Sequence, residues 1–78
     1  MQLWCVIEGV CETQGAEGYP VYGVQVTLPN GGVWTWADVD TDPAVVAVLV
    51  NRLQAIQPAA CHFRDVVLDF IEEMAAKV

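Results

Sequence analysis

The chain is short of positive charge. Its 78 residues hold three basic side chains, Arg52, Arg64 and Lys77, against ten acidic ones, for a formal net charge of −7. Nucleic-acid binders draw most of their affinity from neutralised phosphates and released counterions. Three scattered cations cannot supply that, so no nucleic-acid partner is expected, and an anionic membrane surface is disfavoured for the same reason. The chain also has no serine and a single histidine, His62. It lacks a phosphate loop, a dinucleotide fingerprint, a nucleophile elbow and an HExxH motif. No enzymatic activity and no cofactor are therefore expected. No apolar run reaches the roughly 18 residues that span a bilayer. The first residues, Met1-Gln2-Leu3-Trp4-Cys5-Val6-Ile7-Glu8, have neither the basic n-region nor the long apolar h-region of a secretion signal. A cytoplasmic location is the expectation. Cys5, Cys11 and Cys61 are odd in number and form no CxxC, so reduced, mostly buried thiols are expected rather than a disulfide framework.

What the chain has in plenty is apolar side chains. The apolar share is 55%, which excludes a disordered chain. A single domain over residues 1–78 is expected, and a chain of this size buries only roughly 60–65% of its unfolded surface. It is marginal unless its core is dense or it associates. Residues 44–50 (AVVAVLV) follow directly on Asp42-Pro43. Asp is a preferred N-cap, because its carboxylate accepts from the orphan N–H groups of the first turn. Pro at the first helical position gives up no useful donor and brings a helical φ. A helix thus starts here with two turns that have no polar face, whereas a surface helix keeps one side for water.

The first half reads as strands. Residues 2–13 are rich in β-branched and aromatic types and end in a turn-like run at 14–18. Residues 19–28 alternate Val24, Val26 and Leu28 with Gln25 and Thr27, the period of two of a half-buried strand. Pro29-Asn30-Gly31-Gly32 supplies the Asn-Gly chemistry of a hairpin. Residues 33–39 (VWTWADV) form a third strand with Trp34 and Trp36 on one face. Pro20 falls at the start of its strand, where a missing N–H is tolerated. Gly9 inside the first strand marks a bulge or a small site under an aromatic ring.

Two helices follow. The first runs over residues 43–55, with Val46, Leu49, Val50, Leu53 and Ile56 turned to the sheet and Val45 and Val48 turned to water or a neighbour. Gln57-Pro58 ends it, since the residue before proline is pushed out of the α region. The second begins between residues 58 and 62 and runs to about Ala76. Phe63, Val66, Val67, Phe70, Ile71 and Met74 make its apolar stripe, and Arg64, Asp65, Asp69, Glu72 and Glu73 fall opposite. The expected fold is α+β: a three-stranded antiparallel meander followed by two C-terminal helices packed on one sheet face.

Several clusters invite a chemical reading. Asp38, Asp40 and Asp42 resemble the start of a calcium loop, but that loop needs a Gly at its sixth position and a bidentate Glu at its twelfth. Pro43 and Leu49 stand there, so a strand end and helix caps are expected instead. Cys61 and His62 are adjacent, and consecutive helical side chains diverge, so the thiol does not pass its proton to that ring. His62 and Asp65 are spaced to form a local pair at a helix start. Cys5, Cys11, Cys61 and His62 lack the short ligand spacings of structural zinc sites, and no metal is expected. The tryptophans Trp4, Trp34 and Trp36 have no basic groove beside them for stacking bases. They are expected to fill the layer between sheet and helices or part of a seam.

Three elements carry a family resemblance: Tyr22-Gly23-Val24; Asp38-Val39 with Asp42; and the segment from His62 to Ile71, HFRDVVLDFI. They resemble a family of small uncharacterised bacterial proteins, a domain of unknown function. Its marks are a Tyr-Gly-Ile strand and a His-Leu-x-Asp-Val-Val-x-Asp-Phe-Leu C-terminal helix. The likeness covers roughly residues 19–72. Here the first helix is more apolar than the family pattern, and Ala59-Ala60-Cys61 is additional. The resemblance implies the same fold, no assigned activity, and His62, Asp65 and Asp69 as the polar positions of interest.

The functional expectation is a small non-catalytic protein-interaction module acting through its apolar first helix and aromatic strand, with Val45, Val48, Trp34 and Trp36 as the candidate surface. The partner would be a second copy, in a homodimer seamed along helix one, or an unidentified protein. The alternative is an acidic inhibitor or decoy that occupies a basic site on a nucleic-acid-handling protein. It would use Asp38, Asp40, Asp42, Asp69, Glu72 and Glu73.

Overall fold

A computed structural model describes residues 1–11 and 18–76, with Cys11 described by its backbone alone. The expected turn at 14–18 lies, but for Gly18, outside the described residues. Three strands, β1 (Leu3–Cys11), β2 (Tyr19–Thr27) and β3 (Val33–Asp40), form one antiparallel sheet in the order β1-β2-β3. Two helices follow, α1 (Pro43–Ile56) and α2 (Phe63–Ala76), joined through a short 3₁₀ turn at Ala60–His62. The α+β meander with two C-terminal helices is thus the architecture of the chain. The β2–β3 turn closes where the Asn-Gly pair places it. Gly31 takes φ +88° and donates to the Leu28 carbonyl at 2.9 Å, while Asn30 Oδ1 accepts from the Gly32 N–H at 2.8 Å.

The caps of α1 follow from local chemistry. Asp42 is extended at the N-cap and its Oδ1 accepts from the Ala44 N–H at 2.9 Å; Asp40 Oδ1 in turn accepts from the Asp42 N–H at 2.9 Å. At the other end Pro58 bars Gln57 from the right-handed helical region. Gln57 leaves in the left-handed conformation, φ 53° and ψ 57°, and its N–H still reaches the Leu53 carbonyl at 2.9 Å. A non-glycine residue there costs roughly 1–2 kcal/mol. Gln57 offsets it with a side-chain network described below.

The core lies between the helices and one sheet face. Trp4, Val24 and Val26 come from the sheet, Val46, Leu49 and Leu53 from α1, and Phe63, Val67 and Phe70 from α2, all buried. The Phe63 ring sits against both Trp4, at 5.0 Å between centroids, and Trp34, at 5.4 Å. Edge and tilted contacts of this kind are worth about 0.5–1.5 kcal/mol beyond the area they bury.

Four expectations are corrected. Gly9 makes neither a bulge nor a site under a ring: the β1–β2 register runs unbroken through Gly9↔Val21, and a Cβ there would meet only Val21 Cγ2 at 3.9 Å. The irregularity is opposite Gly23, between the pairs Val24↔Trp36 and Tyr22↔Asp40, where β3 sets Ala37, Asp38 and Val39 against one residue. A Cβ on Gly23 would stand 2.1 Å from the Trp36 carbonyl oxygen, so only glycine fits. Ile56 is not turned to the sheet but is 57% exposed. In the last turn of α1 Gln54 reaches the sheet edge, and Ile56 points roughly 160° away from it at 100° per residue. Val45 is half-buried against the core rather than turned outward, on the flank where Arg52 reaches α2. Cys5 and Cys61 are exposed rather than buried. Strand alternation sends Cys5 to the face opposite Trp4, and Cys61 rides on the 3₁₀ turn.

Candidate interaction surface

Among the described residues the helices pack on one face of the sheet, at its Trp4 end, and leave Val6 37% and Val10 66% exposed further along it. On that side lie the cross-strand set Trp4–Val26–Trp34 and its neighbours Val24 and Trp36. Side chains alternate across a strand, so the opposite face carries Leu3–Thr27–Val33, then Cys5–Gln25–Thr35, then Ile7–Gly23 and Gly9–Val21. None of these residues is charged, but β3 sets Ala37, exposed Asp38 and Val39 against Gly23, so a carboxylate adjoins the third of these rungs. Leu3 is 60% and Val33 59% exposed, while Val21 is buried apart from the main core. No helix packs on this face among the described residues. Among the described residues its Leu3–Thr27–Val33 and Cys5–Gln25–Thr35 rungs make an uncharged, partly apolar and largely exposed surface.

The residues singled out in the sequence fall elsewhere. Val48 is 51% exposed on α1, but Val45 is packed beside the core. Trp34 and Trp36 are half-buried on the helix-covered side, 6.2 Å apart between ring centroids, and the Trp36 indole donates to the Asp38 carbonyl at 3.1 Å. His62 Nδ1 and Asp65 Oδ2 stand 4.0 Å apart, both well exposed, and Asp69 is exposed one turn further along α2. The three share an outward strip of α2 and its leading turn, where bulk water solvates them. Among the described residues no three His, Cys, Asp or Glu side chains converge as metal ligands.

A shallow cleft of about 220 Å³ opens between the end of β3 and the second half of α2, lined by Val39, Asp40, Phe70, Ile71, Met74 and Ala75. Asp40 is its one charged lining group among the described residues, and that carboxylate already holds the Asp42 N–H. Arg52 on α1 spans to Glu73 on α2 at 3.0 Å and lies 5.3 Å over the Phe70 ring. Both charged partners are about two-fifths exposed, so the ion pair is worth about 0.2–1 kcal/mol. It ties the helices together rather than forming a site.

One polar cluster went unread in the sequence. Among the described residues the outer edge of β1 faces no strand, and its first outward backbone groups are bound by side chains of α1. The Trp4 N–H donates to Gln54 Oε1 at 2.9 Å, and the Gln2 N–H to Gln57 Oε1 at 2.7 Å. The Gln2 carbonyl accepts from Gln54 Nε2 at 2.9 Å and Gln57 Nε2 at 3.0 Å. Gln2 in return binds the Pro58 carbonyl, and its Oε1 accepts from the Trp4 indole at 3.0 Å. Free edges invite strand addition; here amides of α1 close the first part of the edge, and Glu8 stands exposed further along it. The signal was available in principle. An antiparallel meander followed by α1 returns the end of α1 to the start of β1, and Gln54 and Gln57 are the amides at that end.

No helix among the described residues is long and apolar enough to cross a membrane. No protein-family model, curated protein or solved structure matches the chain.

Proposed function

We propose that the chain is a small non-catalytic protein-interaction module that holds its partner through uncharged, partly apolar surface. The observation that carries this reading is the open sheet face: a run of uncharged strand positions, with Leu3 and Val33 well exposed, in a molecule of net charge −7. Val48 and Ile56 on α1 add exposed apolar area. The polar side chains support it too. His62 and Asp65 are solvated, Asp40 and Asp42 are engaged in capping, and Glu73 is paired with Arg52. Among the described residues this leaves little polar machinery for turnover. The homodimer, an intracellular setting and membership of the small bacterial family belong to the same proposal.

A second reading is favoured by one feature. Asp65, Asp69 and Glu72 line the exposed side of α2 and give an acidic strip that a basic cleft would accept. An immobilised chain exposed to extract of its own organism at low and at high salt separates the two. Protein retained by apolar contact persists at high salt, whereas a decoy complex dissociates as ions screen it. Loss of all captured protein at high salt would overturn the module and leave the decoy.

A further inference from the structure

We infer that Asn30-Gly31 is a modification site at which the chain rearranges its own backbone, and that the β2–β3 turn holds this site closed in the native fold. The co-reactant is water, and the product is an aspartyl or isoaspartyl residue at position 30. The pair itself sets the chemistry. An asparagine amide lies within five-membered-ring reach of the next backbone nitrogen, and glycine there has no Cβ to crowd the approach. The Gly31 nitrogen gives up its proton and bonds to Asn30 Cγ. The Cγ–Nδ2 bond breaks, and ammonia leaves with that proton. Water then opens the cyclic imide at either of its carbonyls. Attack at Cγ gives aspartate on an unchanged main chain. Attack at the main-chain carbonyl gives the isoaspartyl form, in which the backbone runs through Cβ and Cγ. Each product adds one carboxylate. Asn30 and Gly31 are exposed, and a Cβ built on Gly31 would meet nothing within 4 Å, so water and base reach the pair. Asn51, the chain's other asparagine, precedes Arg52 inside α1, whose side chain crowds the same attack.

The fold decides when the reaction runs. The Gly31 N–H, whose nitrogen is the nucleophile, is held by the Leu28 carbonyl at 2.9 Å, which closes a turn from Leu28 to Gly31. Pro29 at the second position fixes a negative φ. Asn30 at the third has a negative φ too, since Gln57 is the only non-glycine among the described residues with a positive one. The turn is therefore type I, in which the third residue sits at ψ about 0°. There the Gly31 nitrogen eclipses the Asn30 nitrogen, whereas ring closure needs it to eclipse Cβ. The electrophile is tied down as well, because Asn30 Oδ1 accepts from the Gly32 N–H at 2.8 Å. A third bond, from the Leu28 N–H to the Gly32 carbonyl at 2.8 Å, joins the ends of the loop. Cyclisation waits for all of this to open. Afterwards the two products diverge. An aspartate at position 30 can still accept from the Gly32 N–H and restore the turn. An isoaspartyl link lengthens the main chain by a methylene inside that turn, which loosens the adjoining Thr27↔Val33 pair and Leu28, packed against the core.

Peptide mapping by mass spectrometry, with chromatography that resolves the isomers, tests this on the full chain held for days at neutral pH. Wild type and Pro29→Gly are compared, each native and in guanidinium chloride, with circular dichroism to establish folding. In denaturant Asn30 should convert to aspartyl and isoaspartyl peptides while Asn51 stays an amide. Native wild type should convert at least about tenfold more slowly, since three hydrogen bonds must open first. Pro29→Gly removes the restraint on the turn and should raise the native rate about two- to fivefold, leaving the denatured rate unchanged. A denatured chain that keeps Asn30 intact overturns the site. Native conversion as fast as denatured conversion overturns the turn as its guard, and so does a folded Pro29→Gly that reacts at the wild-type rate.

Discussion

The two faces of the sheet are built from the same three strands and differ in everything that matters for stability. On the covered face Trp4, Val24 and Val26 meet Leu49, Leu53 and Phe63 with almost no exposed surface. On the open face Leu3 and Val33 are mostly exposed, and the positions between them are threonine, glutamine and cysteine. Strand alternation generates both. The helices cover the first face at its Trp4 end, leaving Val6 and Val10 on that side partly exposed, while on the second face Val21 is buried and Leu3 and Val33 are not. The difference separates residues that hold the fold from residues free to serve something outside it.

The largest effect should come from the covered face. Leu49→Ala or Phe63→Ala removes a fully buried side chain at the sheet–helix interface, at a cost of about 3–5 kcal/mol. Against the 5–15 kcal/mol typical of a native domain, that is a large fraction of the total. Urea unfolding should show the midpoint falling steeply, while Leu3→Ala on the other face shifts it by no more than about 0.5 kcal/mol. Equal losses at the two sites would erase the distinction between the faces.

Next is the glycine pair. Ala at Gly23 would drive a methyl into the backbone of Trp36 and Ala37, at 2.1 and 2.6 Å, which costs about 1–3 kcal/mol or more as β3 is forced away. Gly9→Ala meets nothing nearer than 3.9 Å and relieves glycine of its unfolded-state entropy, so it should be neutral or gain up to about 1 kcal/mol. Thermal unfolding of the two variants reads the contrast directly.

The sheet edge ranks third. Gln54→Ala strips the acceptor from the Trp4 N–H and one donor from the Gln2 carbonyl. It should cost about 1–2 kcal/mol and speed hydrogen exchange at the Trp4 amide, leaving the central-strand amides slow. Unchanged exchange at Trp4 would mean that the edge is closed by something other than the amide.

These contrasts also mark where the sequence is readable. The Asp42-Pro43 start, the Asn30-Gly31 turn and the alternation around Val24 and Val26 are local, and each acts within a few residues. They appear in the structure where the sequence places them. Gly23 and Gly9 look alike in sequence because what distinguishes them is Trp36, which comes close only through the β2–β3 register. Gln54 and Gln57 read as ordinary polar residues at a helix end, since their partners lie more than 50 positions away. Cys5 was expected inside on residue type, and strand parity placed it outside. The uncharged face is visible in the sequence only once the registers β1–β2–β3 are known, so the surface was first sought on α1.

The smallest effect on folding is the most telling one for the open face. The double change Leu3→Thr with Val33→Thr keeps β-favouring side chains on both edge strands and removes exposed apolar groups alone. In an isolated chain the unfolding free energy should move by no more than about 0.5 kcal/mol, because these side chains are already mostly in water. If a second copy covers the face, the wild-type unfolding midpoint rises with protein concentration, as it does for any process that binds the native state. The double variant should lose that rise while matching the wild type at high dilution. A midpoint that is independent of concentration in both proteins would show that Leu3 and Val33 face solvent throughout, and that the asymmetry of the sheet serves no copy of itself.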